Sequence, residues 1–316
     1  MIPKGEQLHE RWRREYRRSR YAQHLTRPEL NKRIRDIFLN MLRVTPDAKI
    51  GVFPVNGASA VFWEKWTHVL EEMALRYGPY PSGFDRDILH SEPFPDFASE
   101  LAGKAARRMS ELQLQPGTVF IKLGQQKYME RLISEGALRL QAASYYSRPE
   151  LNQAVRDDEM TVPLSFVLNR EQLKTLVANP QDIPEDAPGQ RLDMEFRSTA
   201  DFWLYCVTRS IEPRHFVDFQ AKACVVIKNP AEFAKRLRQG ARTATGNTQM
   251  NQAKAVYVDP LLPASPKIYV PFSKPFGYSY QDEYRFCWVP NPPVAKLDHK
   301  DIAIGPLTDI AELIIL

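Results

Sequence analysis

Glycine is scarce in this chain, 14 of 316 residues, and none of it forms a phosphate-cradling motif. Neither a Walker-type loop nor a glycine fingerprint between strand and helix occurs, which disfavours the common nucleotide-binding α/β folds. Cysteine is scarcer: Cys206, Cys224 and Cys287 are odd in number and widely spaced. That excludes a disulfide framework and paired zinc spacing, and it suits a reducing compartment. No serine elbow and no histidine cluster appear, so a serine hydrolase and a metallohydrolase are both disfavoured. No apolar run approaches the ~20 residues of a membrane span. The opening residues lack a signal peptide's apolar core, and the expectation is a soluble, cytoplasmic protein.

Hydrophobic residues make up 43% and aromatics 11%, enough burial to exclude a wholly disordered chain. The length is that of one large or two ordinary domains. Proline, at 25 residues, outnumbers glycine and falls in loops rather than repeats, so many irregular connections are expected. The net charge of +5 comes substantially from one end, where Arg11, Arg13, Arg14, Arg17, Arg18 and Arg20 crowd the first twenty residues. Such a helix can meet phosphates or an acidic partner. It can equally be a solvated face whose Trp12 and Tyr16 dock on the rest.

Helical spacing of Leu8, Trp12 and Tyr16, then of Ile34, Phe38 and Leu42, predicts helix over 6–43, interrupted at Arg27-Pro28. Thr26 suits the restart as a cap, with Pro28 and Glu29 in the first turn. Further helices are expected at 59–77, ending at Gly78-Pro79, and at 96–112. His68 and His90 lack ligand spacing and read as structural. At Gln115-Pro116-Gly117 the pattern turns to strands. A helical, basic domain over 1–112 and an α+β domain over 113–316 are therefore expected. Its strands fall at 118–124, 138–140, 160–168, 202–208, 223–227, 255–258, 268–270 and 284–288, with strand or helix at 309–315. Helices are expected at 126–135, at 170–177 and after Pro230, a proline-broken loop at 180–190, and a mobile loop at 239–252.

The stretch Tyr278–Trp288 reads as one alternating strand. Tyr280, Asp282, Tyr284 and Phe286 would share one face, and Gln281, Glu283, Arg285 and Cys287 the other. Glu283 and Arg285 either form an ion pair on a solvated face, or line a site together with Gln281, since a buried face of this kind needs partners or a ligand.

Phe120-Ile121-Lys122, Leu138-Arg139-Leu140 with Tyr145-Tyr146, the hydroxyl-ended strand Thr208-Arg209-Ser210 and Gln281-x-Glu283 occur in an order that resembles the ADP-ribosyltransferase-like fold. Over residues 116–290 the chain is similar to a family of poorly characterised bacterial proteins with that strand order and a closing aromatic-Gln-x-Glu-Tyr-Arg strand. The resemblance implies an NAD-dependent ADP-ribosyltransferase, a toxin or phage-defence effector that uses NAD as substrate and modifies a protein or nucleic acid, with an inhibitory partner protein possible. It implies Glu283 as catalytic carboxylate facing an oxocarbenium-like centre and Gln281 as orienter of the acceptor. Lys122 would meet the pyrophosphate, where the better-known members carry Arg or His. Tyr145 or Tyr146 would stack on nicotinamide, and Thr208 or Ser210 would hydrogen-bond the dinucleotide. Phe276 or Tyr278, together with Arg13, Arg14, Arg17 and Arg18, would meet the acceptor.

Each residue also has a structural reading: Lys122 as an edge-strand charge, the tyrosines as packing residues with wet hydroxyls, Thr208 as a strand former, Cys206 and Cys224 as small buried hydrophobes. Asp157-Asp158-Glu159 reads as a solvated acidic loop rather than a metal site, and Arg214-His215 as a surface loop. Two other functions stand beside the enzyme. One is a non-enzymatic nucleic-acid-binding protein using the arginine-rich helix, and the other a metal-dependent nuclease using Asp157, Asp158 and Glu283.

Overall fold

The computed structural model describes residues 7–78, 94–168, 174, 181, 190–246, 248–263 and 267–316. The helix expected at 170–177, the loop at 180–190 and His90 fall almost wholly outside the described residues. Helix α1 (Leu8–Ser19) buries Trp12 and Tyr16. Helix α2 (Arg27–Met41) starts at a full capping box, in which Thr26 N donates to Glu29 Oε2 at 2.6 Å and Glu29 N donates to Thr26 Oγ1 at 3.4 Å. A small hairpin follows, β1 (Leu42–Val44) with β2 (Ile50–Val52). Then come α3 (Ala60–Tyr77), stopped at Gly78, and α4 (Glu100–Glu111). Leu30, Ile34 and Ile37 of α2 pack on Val69 and Met73 of α3 around Tyr16. No helix among the described residues is long and apolar enough to cross a membrane.

The grammar changes to strands between Glu111 and Phe120. In chain order follow β3 (Phe120–Gly124), α5 (Gln126–Glu135), β4 (Ala137–Ala142), β5 (Thr161–Leu168), β6 (Gln190–Arg197), β7 (Trp203–Thr208) and a short α6 (Arg214–Asp218). After these come β8 (Ala223–Ile227), α7 (Pro230–Thr245), β9 (Met250–Lys254), β10 (Val256–Val258), β11 (Ser273–Pro275), β12 (Glu283–Trp288), β13 (Lys300–Ala303) and β14 (Ala311–Ile315). The mixture is α+β, as the sequence suggests.

Eight of these strands form one antiparallel sheet that forks at β7. One edge of β7 carries β12 and then β9. The other edge meets β4 at its start, through Leu204 opposite Gln141, and β3 at its end, through Thr208 opposite Ile121. Beyond the fork, β4 continues to β13 and β3 to β8 and β14. The middle of that β7 edge is left between two diverging strands. Strand β7 can lie at the centre because both its faces are covered, which is why it reads as an unbroken apolar run. Trp203, Tyr205 and Val207 pack with Phe233, Leu237 and Phe286. Leu204 and Cys206 pack with Phe202, Phe272 and Cys287 on the opposite face.

The expected mobile loop at 239–252 is instead the end of α7 and the start of β9. Ala241 and Thr245 are buried against the sheet, and Thr245 Oγ1 donates to Ala241 O at 2.9 Å. Strand β9 is an edge strand with Asn251 and Gln252 exposed, so its polar composition conceals the ladder with β12. The stretch 268–270 leads into a 3-10 turn at Val270–Phe272 rather than a strand.

Packing joins the two halves. Ala105 and Met109 of α4 share a cluster with Ile121, Val226 and Ile314, and Phe276 inserts among the α2 and α3 residues. Arg33 of α2 grips Asp259 by two hydrogen bonds of 2.9 and 2.8 Å, and Lys65 of α3 adds a second cation to the same carboxylate. Removing one partner strands the others in a dry site. Asp259→Ala is therefore expected to cost about 3–5 kcal/mol in denaturant unfolding, whereas a loss near zero would show that the junction does not depend on this charge.

Candidate functional site

Strand β12 begins at Glu283, not at Tyr278. Residues 276–281 form a 3-10 turn, and Asp282 adopts the left-handed conformation with φ of 40°. The alternation expected upstream of Glu283 is therefore broken, and Gln281 does not extend the strand face that carries Glu283. The Gln281 amide donates to Ala154 O at 2.8 Å, and its backbone oxygen accepts from Thr208 Oγ1 at 2.6 Å. From Glu283 onward the alternation holds: Tyr284 and Phe286 turn to the core, while Glu283, Arg285 and Cys287 face the other way.

The Glu283–Arg285 pair exists, but it is buried. Glu283 is 7% exposed and Arg285 0%. Arg285 Nη2 lies 2.7 Å from Glu159 and 3.3 Å from Glu283, and its Nη1 donates to Pro271 O at 3.1 Å. Lys274 Nζ lies 3.2 Å from Glu283, 3.3 Å from Glu159 and 3.7 Å from Asp157. Asp157 and Glu159, expected to be solvated, are 8% and 5% exposed. The intervening Asp158 points outward and accepts from Met160 N and Thr161 Oγ1. Two cations supplied from residues 274 and 285 explain why these carboxylates can be buried at all.

Burial pushes the Glu283 carboxyl up, but Arg285 and Lys274 outweigh it and hold it well below the usual carboxylate range. Burial likewise pushes Lys274 down, and Glu283, Glu159 and Asp157 more than reverse this. Asp157 is different. Burial and the neighbouring Glu159 charge raise it to about 7, with Lys274 and Arg285 only partly offsetting them. The Cys206 thiol, half-buried, hydrogen-bonds Glu283 and is pushed well above its ordinary value, first by burial.

Beside this cluster, in the fork between β3 and β4, lies a pocket of about 680 Å³. Lys122, Tyr145, Tyr146 and Tyr205 line it, with Arg131 of α5 and Arg139 of β4. Lys122 Nζ donates to Cys206 O at 2.8 Å and stands 4.5 Å from the centre of the Tyr205 ring. Among the described residues it has no ion-pair partner, and burial lowers its pKa. The Tyr205 hydroxyl is buried without a hydrogen-bond partner. Tyr145 and Tyr146 meet edge to face at 5.8 Å. Tyr146 is pushed well above its ordinary value, mainly by burial, and feels the Glu159 and Glu283 charges, which places it between pocket and cluster. The fold thus gathers Lys122, Tyr145, Tyr146 and Glu283, although 161 positions, from 122 to 283, separate the outer two in sequence.

Thr208 and Ser210 do not line that pocket. Thr208 ties β7 to the Gln281 turn, and Ser210 N donates to its hydroxyl at 3.0 Å. Phe276 is buried beneath the Arg33 guanidinium. Tyr278 lines a second, larger cleft and donates its hydroxyl to Arg156 O at 2.8 Å. The N-terminal arginines are partly committed: Arg17 lies 2.6 Å and Arg13 3.6 Å from Glu71, and Arg20 2.9 Å from Glu72. Arg18 is exposed and Arg14 half-buried. Arg214 and His215, expected on a surface loop, are buried. Arg214 pairs with Asp218 at 2.8 Å, and His215 Nε2 contacts Tyr280 O at 2.9 Å. Among the described residues no group of His, Cys, Asp and Glu side chains is placed to hold a metal ion; Asp157, Asp158 and Glu283 do not converge.

Sequence reasoning missed Lys274, Glu159, Tyr205 and Arg139 as parts of this region. No local signal marks them: Lys274 and Glu159 meet across 115 positions, and the backbone at 157–159 turns, Glu159 N donating to Asp157 O at 3.1 Å. Comparison with protein-family models, with curated proteins and with solved structures finds no match for this chain.

The raised Asp157 carboxyl makes stability depend on pH in a defined direction. Its contribution is fully present below the unfolded value of 3.8 and is lost as pH rises through about 7. Asp157→Asn should melt like the unsubstituted protein near pH 3 and at a higher temperature than it at pH 8, with the gap opening between about pH 4 and about pH 7. Parallel melting curves at the two pH values would contradict this. Glu283→Gln removes the carboxylate that Lys274 and Arg285 both contact, so a clear fall in melting temperature is expected, opposite to what a solvated pair would give.

Proposed function

We propose that the chain is an NAD-dependent ADP-ribosyltransferase of ADP-ribosyltransferase-like fold that takes NAD in the fork between β3 and β4. The observation that carries the reading is Lys122. It is a half-buried ammonium without a carboxylate partner among the described residues, in the lining of a pocket that holds four tyrosines, and one strand, β7, separates it from the strand that carries an ionised Glu283. A dinucleotide suits such a lining. An ammonium attracts a pyrophosphate as a point charge, aromatic rings stack on the bases, and a hydroxyl without a partner seeks one in a ligand.

In this reading Lys122 holds the pyrophosphate, Tyr145 or Tyr146 stacks on nicotinamide, and Glu283 faces the ribose carbon that joins the two. The bond from that carbon to the nicotinamide nitrogen breaks, and nicotinamide leaves neutral with the electron pair. A heteroatom of the acceptor bonds to the carbon and gives up one proton. A fixed carboxylate lowers this barrier because positive charge grows on the ribose as the bond lengthens. Gln281, with its amide committed to Ala154 O, has no part in this mechanism. A toxin or phage-defence role is the proposed setting. The nucleic-acid-binding alternative draws less support, because Arg13 and Arg17 face Glu71 within the fold.

Incubation with NAD carrying label on the adenine or on the nicotinamide tests this. Free labelled nicotinamide and an acceptor carrying labelled ADP-ribose are expected. Tyr145→Ala and Lys122→Met should each raise the NAD dissociation constant about tenfold, a loss near 1.4 kcal/mol, while the melting temperature of Tyr145→Ala stays near that of the parent. Unchanged NAD binding in both variants would sink the reading, as would NAD left intact with protein and nucleic-acid acceptors present.

A further inference from the structure

The buried cluster is one cation short. Asp157, Glu159 and Glu283 supply three carboxyl groups, while Lys274 and Arg285 supply two positive charges. Glu159 and Glu283 each contact both cations. Asp157 does not: its Oδ2 lies 3.7 Å from Lys274, is buried, and has no hydrogen-bond partner. The same residue lines the second cleft, of about 1600 Å³, with Tyr278, Asp36 and Asp218 in the wall. The other carboxylates of the wall are paired or in water: Asp36 with Lys32, Asp218 with Arg214, Glu29 and Asp193 with Arg191, Glu195 with Arg197, and Asp96 exposed. Asp157 is thus the carboxyl left open to a ligand.

We infer that Asp157 is the receiving end of a site for a guanidinium group, the arginine side chain of a polypeptide acceptor entering the large cleft. A guanidinium suits the place because its planar fork can pair with a carboxylate and lie on an aromatic face at once. Tyr278 supplies that ring beside Asp157, with Lys274 4.9 Å from its centre. The assignment rests on the ADP-ribosyltransferase reading only for the transfer step; binding of the cation stands without it. The two cavities abut at main-chain level, since Asp157 N donates to Tyr146 O at 3.0 Å.

Binding is coupled to a proton. The charged and titratable groups that face Asp157 are Glu159, Glu283, Lys274, Arg285 and Tyr278. Among them Asp157 is the one held near neutrality at about 7. An entering cation converts it to the ionised form and expels its proton, so affinity should climb as pH rises towards 7 and level off above.

Titration calorimetry of the full chain with n-butylguanidinium at pH 6 and pH 8, in buffers of different ionisation enthalpy, reads this directly. Close to one proton released per cation at pH 6, little at pH 8, and affinity about tenfold weaker for each pH unit below 7 are expected. Asp157→Asn should abolish both the binding and the proton release while melting no lower than the parent at pH 5. Equal affinity for n-butylammonium, or binding indifferent to pH and to Asp157→Asn, would overturn the assignment. A parallel incubation with labelled NAD, an arginine-rich peptide and RNA separates the two proposals. Label on the peptide, lost in Asp157→Asn with nicotinamide release retained, supports both. Cation binding with NAD left intact keeps the site and removes the enzyme reading, and label on RNA alone overturns the assignment of the site to an acceptor arginine.

Discussion

Two cations held among three carboxyls in a dry interior set the arrangement of this chain around its candidate site. Lys274 and Arg285 come from strands β11 and β12, Asp157 and Glu159 from the loop before β5, and Glu283 from the first residue of β12. Neither sign can be buried without the other, because stripping water from an unpaired charge costs several kcal/mol. The loop, the turn at 276–281 and the strand are therefore fixed together rather than separately. Replacing the whole group by apolar residues of similar size can be neutral or stabilising in other proteins. Its presence here is better understood as specifying one arrangement than as adding net stability.

A parallel constraint ties the helical half to the sheet. Asp259 takes Arg33 from α2 and Lys65 from α3, while Arg214 donates to the carbonyls of Leu39 and Leu42, where α2 gives way to β1. Both junctions bury a charge with hydrogen-bond partners about two hundred residues away along the chain, although Arg214 also pairs with nearby Asp218. Local sequence pattern carries no trace of such contacts.

That distinction accounts for what could be read in advance. Elements governed by short-range rules were legible: the Thr26 cap opens α2, Gly78 closes α3, and the apolar run at 202–208 holds the central strand Trp203–Thr208. The region 239–252 was misread because an edge strand and the solvent face of a helix share a loop's polar composition. The Gln281-x-Glu283 spacing was misread for another reason. Alternation presumes extended backbone throughout, and the left-handed Asp282 between them breaks it. Lys122, Tyr145 and Tyr146 were legible as a group only through strand order, since nothing in their neighbourhoods requires them to meet. Lys274 and Glu159 were not legible, because each depends on a partner more than a hundred positions away.

The fork in the sheet has one more implication. Strands β3 and β4 diverge beside a β7 edge whose Cys206 carbonyl is satisfied by a side chain instead of a neighbouring main chain. The ammonium acts as a peg in a seam that would otherwise be drawn shut by ladder hydrogen bonds. An ammonium has three N–H donors, so it can keep that carbonyl satisfied while turning another donor towards a phosphate oxygen. A residue with a single donor could prop the seam or greet a ligand, but not both, and the cavity and its occupant would then compete for the same proton.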